Sequence, residues 1–264
     1  MDLGIRGKNA LVIGAGSGLG AACAIALASE GVRVVLVGRR AETLNRTRDV
    51  IAAISDAPAA LPMVWDVSEP DIAAAQIVKI KEMLGGPISI LINNTGGPPP
   101  TSASGQLIAS WEVQFKSLVL SLIAVTDAVL PQMRQLGYGR VITIASSGVI
   151  APIPNLAFSN TLRSALVGWS KTLSREVAPH GVTVNTVLPG RIDTDRLRSL
   201  NAAMAEREHK SEEAVAAESI KNIPLGRYGQ PAEFAAAVAF LASTQAAYIT
   251  GSMLRVDGGL ISSV

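Results

Sequence analysis

Seven short apolar runs recur along the chain, at 9–15, 32–38, 61–66, 88–94, 139–146, 182–189 and 252–259, and most are apolar at successive as well as alternate positions. A strand with one wet face alternates apolar with polar residues. Continuous Val/Ile/Leu runs of this length read instead as strands buried on both faces of a parallel sheet. Between them lie alanine-rich helical stretches at 18–30, 41–54, 71–84, 106–136, 155–178 and 230–243. Strand and helix alternate almost throughout, which predicts one α/β domain over 1–264, a doubly wound parallel sheet with helices on both faces. One segment breaks the rhythm. Residues 191–222 are long and charged, between the sixth run and the helix at 230. They form either a solvated excursion or a lid over a site; because they follow a strand's carboxyl end, the lid is the preferred reading.

Composition narrows the function classes. Of 264 residues 48% are apolar and 17% charged, with a net charge of +2. High apolar content with few charges suits an oligomer whose helices bury a second face. With no Lys/Arg run and no basic stripe interleaved with aromatics, nucleic acid is not an expected partner. The single cysteine, Cys23, lies in "LGAACAIALA" and reads as a small core residue. One Cys with His180 and His209 makes neither a disulfide nor a metal site. The N-terminus has no apolar core of a signal peptide, and the longest apolar stretches, such as 118–126, fall short of a membrane span. A soluble, cytoplasmic protein without a membrane partner is expected.

In open α/β sheets ligands bind beyond the carboxyl ends of the strands, so the residues after each run carry the chemistry. The first run ends in "GAGSGLG", covering Gly14, Gly16, Ser17, Gly18, Leu19 and Gly20. Glycines there let the backbone approach a pyrophosphate, and the free amides and dipole of the following helix attract its charge. After the second run stand Arg39 and Arg40. An acid would bond a ribose 2′-hydroxyl; two arginines favour a 2′-phosphate, hence NADP(H) over NAD(H). Cations are disfavoured at a helix start, so these two need another reason to be there. Asp66 and Val67 follow the third run, Asp66 either capping the next helix or bonding an adenine amino group. "NNTGGPPP" follows the fourth: Asn93 and Asn94 can bond backbone across the switch point, Thr95 and Gly96 let a ribose approach, and the prolines stiffen the loop. Ser146 follows the fifth run, and "PGRIDT" the sixth.

Taken together, "GAGSGLG", "NNTG", Ser146, "NTVLPGRIDT" and "ITGSMLRVDGG" resemble the short-chain dehydrogenase/reductase family, in order and over essentially the whole chain. The resemblance implies a Rossmann-type, seven-stranded sheet and a nicotinamide cofactor, contacted also by Pro189, Gly190, Ile192 and Thr194. It further implies a homotetramer or homodimer joined through the helices at 106–136 and 155–178. Family enzymes use Asn, Ser, Tyr and Lys. Ser orients the carbonyl, Tyr moves the proton, Lys lowers the Tyr pKa and holds the ribose, and Asn keeps a water in the relay. The family's spacing from Ser146 places Ser159 at the Tyr position and Arg163 at the Lys position, and the run "SALVGWSK" beyond gives the same register. Phe158 as the Tyr replacement would leave Leu162 for Lys. Leu118 stands at the Asn position. The tetrad thus becomes Leu118, Ser146, Ser159 and Arg163.

A tyrosine can be brought toward neutral pKa by a nearby cation, whereas serine is a far weaker and shorter acid, and Arg163 keeps its proton. The remaining donors are His209, in the lid segment, and a water or the substrate itself; Tyr138, Tyr228 and Tyr248 lie in structural contexts. Two functions stay open: an NADP(H)-dependent oxidoreductase acting on a small or medium carbonyl or alcohol with an altered relay, or a nucleotide-binding protein without dehydrogenase activity. "GGPPP" and "GVIAPIPNLAF" suggest an apolar or uncharged substrate.

Overall fold

The computed structural model describes residues 2–263. Its centre is a seven-stranded sheet of β1 (Asn9–Ile13), β2 (Arg33–Gly38), β3 (Leu61–Val64), β4 (Ile90–Asn93), β5 (Gly139–Ile144), β6 (Val182–Pro189) and β7 (Met253–Val256). The spatial order is β3-β2-β1-β4-β5-β6-β7 with every pair parallel. The chain leaves β1 in one direction and returns to its other side at β4, so the switch point lies between these two strands. β1 shows why the apolar runs are continuous. Ala10 and Val12 join one core with helices α1 (Gly18–Ser29), α2 (Ala41–Ala52) and α9 (Pro231–Ala242). Leu11 and Ile13 join the opposite core with α3 (Ala73–Leu84), α5 (Ser121–Leu136) and α6 (Ala157–Val177). Pro62 is tolerated in β3 because that strand is an edge, paired only with β2.

The segment 106–136 is one helix from Ile108 to Leu136 with a wide π turn at Lys116–Leu120, which separates α4 (Ile108–Phe115) from α5. It corrects one expectation. Length and apolar composition, with mean hydropathy of 1.6 in its best window, would let it cross a membrane. Its buried side instead forms a layer of the fold, against α3, α6 and β5. The charged segment is also helical: α7 (Asp195–Glu208) and α8 (Glu212–Lys221) pack on one another after β6.

Candidate active site

A cleft of about 830 Å3 runs along the carboxyl edge of the sheet, within the size of small-molecule and cofactor sites. Its floor at the switch point is the turn after β1. Gly14 has φ +67, a left-handed conformation that costs a side-chain-bearing residue energy. Ser17 precedes α1 in extended conformation without a side-chain cap, and no acid occupies the first turn. The first amides of α1 are therefore open to an anion. Gly14, Gly16, Ser17, Gly18 and Leu19 all line the cleft. Gly20 does not: a Cβ there would stand 2.2 Å from the Gly14 carbonyl oxygen. Its role is to let α1 pack against the turn.

Toward β2 and β3 the cleft is walled by Arg39, Arg40, Trp65, Asp66 and Val67. Both arginines are exposed, and neither takes part in an ion pair among the described residues. Asp66 does not cap α3; its carboxylate accepts from the Ser68 amide at 3.0 Å and shapes the turn. Beyond β4 the two asparagines part. Asn94 lines the cleft and donates to the Ile13 carbonyl at 3.3 Å, tying the turn after β1 to that after β4. Asn93 is fully buried and turned away, donating to Thr126 of α5 at 2.9 Å. Thr95 and Gly96 line the cleft, as do Pro189, Gly190, Ile192 and Thr194 after β6.

At the β4–β5–β6 end stand Ser146, Ser159 and Arg163, with Leu118 beside them. Ser146 follows β5, and its hydroxyl oxygen accepts from the Gly148 amide at 3.1 Å, leaving its own proton free to donate. Ser159 and Arg163 lie one turn apart on α6, both facing the cleft and both more than nine-tenths buried. Phe158 and Leu162 point into the core instead, Phe158 packing edge-on against Trp111 at 4.5 Å between ring centroids. Of the two pairs, Ser159 and Arg163 are the one that faces the cleft. Leu118 sits in the π turn of the long helix and is buried.

The Arg163 guanidinium donates to the Ile144 carbonyl at 3.0 Å and the Thr95 carbonyl at 3.3 Å, bracing the ends of two strands. Burial, and then the charge of Arg196, lower its pKa to about 10. Arg163 thus stays charged at neutral pH and is no proton donor there. The tyrosines are all elsewhere. Tyr138 donates to the Ala242 carbonyl, Tyr228 bonds Asn201 and Ala216, and Tyr248 is fully exposed. His209 caps the far end of α7, exposed and outside the cleft lining.

Sequence reasoning passed over Arg196, in the first turn of α7. It lines the cleft and donates to the Pro98 carbonyl at 2.8 Å. Part of the lining is apolar: Pro98, Pro99, Ile153 and Leu156. Two backbone bonds join its loops, from the Thr101 amide to the Asn155 carbonyl at 2.8 Å and from the Ala157 amide to the Thr101 carbonyl at 3.2 Å.

Residues 14–261 match the family model described as Enoyl-(Acyl carrier protein) reductase. The 3-oxoacyl-[acyl-carrier-protein] reductase FabG of Vibrio cholerae is 34% identical over 98% of this chain and 99% of its own length. The NADPH-dependent reductase BacG of Bacillus subtilis is 30% identical over 97% of this chain and 99% of its own. Among solved structures, L-sorbose reductase from Gluconobacter frateurii, complexed with NADPH and L-sorbose, superposes with a TM-score of 0.93. It is 28% identical, and both chains are covered completely.

Proposed function

The chain belongs to the short-chain dehydrogenase/reductase family, and from that premise we propose that it is an NADP(H)-dependent oxidoreductase acting on a small or medium carbonyl or alcohol. The observation that carries this reading is a cleft whose donor set suits a phosphorylated dinucleotide along its whole length. Open helix amides and glycines stand at the centre, and two free arginines at the β2 end. Two buried polar atoms bordering the cleft, Trp65 Nε1 and Thr95 Oγ1, lack a partner among the described residues. Gly14–Leu19 and Thr194 would hold the pyrophosphate, Arg39 and Arg40 the 2′-phosphate, and Asn94, Thr95, Arg163, Pro189, Gly190 and Ile192 the nicotinamide half. When bound, the nicotinamide supplies or accepts the hydride.

The chain's own part is positioning and charge. Ser146 donates to the carbonyl oxygen. Arg163 keeps a fixed positive charge beside the oxygen where negative charge develops, an electrostatic contribution that needs no proton transfer. Ser159 leaves room for a water where a tyrosine ring would stand, and that water, bonded to Ser146 and Ser159, relays a proton taken up from solvent to the substrate oxygen. The segment 191–222 covers the cleft as a lid, with Arg196, Leu197 and Leu200 on its inner side. Copies of the chain meet through the helices at 106–136 and 155–178, where Ile108, Phe115 and Leu120 are 72%, 40% and 39% exposed.

Calorimetric titration tests the cofactor reading. NADPH should bind more tightly than NADH. The Arg39→Ala/Arg40→Ala variant should lose roughly tenfold or more in NADPH affinity, the worth of charge-assisted bonds to phosphate, while NADH binding stays unchanged. Equal loss for both nucleotides would remove the 2′-phosphate assignment. The apolar Leu118 in the site favours a second reading, a nucleotide-binding protein without turnover. A broad carbonyl panel with NADPH separates the two, since that reading requires no oxidation of NADPH above background.

A further inference from the structure

Six cationic side chains border the cleft, namely Arg39, Arg40, Lys116, Arg163, Arg191 and Arg196, against two acids, Asp66 and Asp195. Asp195 is engaged outward by Arg198 at 2.7 Å. None of the ion pairs among the described residues includes Arg163 or Arg196. Their three hydrogen bonds go to neutral carbonyls, of Ile144, Thr95 and Pro98. A guanidinium has five N–H donors, so most of the donors of this pair remain uncommitted. Arg163 is only 6% exposed, and a buried charge is costly without an opposite charge. Arg196 adds a second cation to the same loop, since Arg163 donates to the Thr95 carbonyl and Arg196 to the Pro98 carbonyl three residues on. Bracing one loop does not require two like charges; an anion shared by them resolves the arrangement.

The source of that anion follows from position. The phosphates of a dinucleotide have donors elsewhere, in the turn after β1 and at Arg39 and Arg40. Arg163, on α6 after β5, and Arg196, in the first turn of α7 after β6, line the same cleft as Ser146, Pro98, Ile153 and Leu156. We propose that Arg163 and Arg196 hold a carboxylate of the substrate, so that the protein acts on a carbonyl acid with an apolar body rather than on an uncharged ketone. The proposal rests on the oxidoreductase reading and revises the expectation of a substrate without charge. Arg163 then has two uses, in the site chemistry and in recognition, whereas Arg196 is a specificity residue.

The test is a calorimetric titration of short and aromatic 2-oxo acids against their methyl esters, run on the protein alone and saturated with NADP+. The acids should bind roughly tenfold or more tightly than their esters, as expected for charge-assisted bonds in a sheltered site. Arg196→Gln should abolish most of that preference with NADP+ affinity unchanged, the retained nucleotide binding showing that the variant is folded. Arg196→Lys, which keeps the charge, should retain part of it. Equal binding of acids and esters, or no binding of either, overturns the proposal. So does a variant that loses NADP+ affinity while keeping the preference for acids, because the charge would then serve the cofactor. Absence of NADP+ binding by the unaltered protein would instead count against the oxidoreductase reading, and the titrations without nucleotide would still decide on the carboxylate.

Discussion

On the proposed reading the site departs from its family's chemistry at single residues, and each departure has a measurable sign. Arg163 has its pKa lowered to about 10 by burial. The folded state holds this proton less firmly than the unfolded chain does. The resulting penalty on stability is therefore fully present below about 10 and relieved as pH rises beyond it. Between roughly pH 6 and 9 the charge is constant, and with no tyrosine in the site no proton-donating side chain titrates there. Turnover should accordingly be flat with pH over that range. In the Ser159→Tyr/Arg163→Lys variant a tyrosine limb should appear in the pH profile and turnover should rise; a variant profile as flat as the parent's would count against the pair as a relay site. Register made Ser159 and Arg163 legible in the sequence, since one spacing fixed both. Side-chain direction was not legible. Asn93 and Asn94 are neighbours of one type, yet strand alternation turns one into the core and the other to the cleft. Arg196 was hidden for the same reason, as one arginine in a charged segment where most side chains are solvated.

At the scale of elements, one of the tightest approaches in the fold is between α1 and the turn it follows. Gly20→Ala would place a methyl group 2.2 Å from the Gly14 carbonyl oxygen, and backbone at both sides leaves no flexible group to yield. Overpacking of this kind costs about 1–3 kcal/mol, so the melting temperature should fall, and NADPH affinity with it because the open amides of α1 shift. A variant that melts like the parent would show that the turn relaxes freely. The central strands were legible because their residues are apolar on both faces, a pattern that only a buried parallel sheet rewards. Strand ends were not: the third run reads to residue 66 and the seventh to 259, whereas β3 ends at Val64 and β7 at Val256. Pairing, which the sequence does not display, sets where an edge strand stops.

For the whole molecule, the cleft concentrates positive charge in a chain whose net charge is only +2. Such a local field speeds the arrival of anionic ligands without making the entire surface sticky. Outside the cleft lining, α4 and the π turn have the opposite character, with Ile108, Phe115 and Leu120 72%, 40% and 39% exposed. If copies of the chain meet there, Phe115→Glu/Leu120→Glu should lower the mass measured by light scattering, whereas an unchanged mass would place the contact elsewhere. Architecture and cleft position were readable from alternation and glycine placement; the charge map of the cleft was not, because it is assembled from loops and helices that follow five different strands.

The π turn at Lys116–Leu120 carries a consequence of its own. A π turn amounts to one extra residue inside an α-helix, and a residue turns an α-helix by about 100°. Deleting one residue there would leave an unbroken α-helix whose two parts keep nearly the same faces, because the wide turn already takes up the rotation of the extra residue. Val113 and Gln114 would stay on the cleft rim, whereas a deletion in the regular turns of α4 would swing them off it. This stretch is therefore a point where the chain can change length by one residue with the mouth of the site preserved.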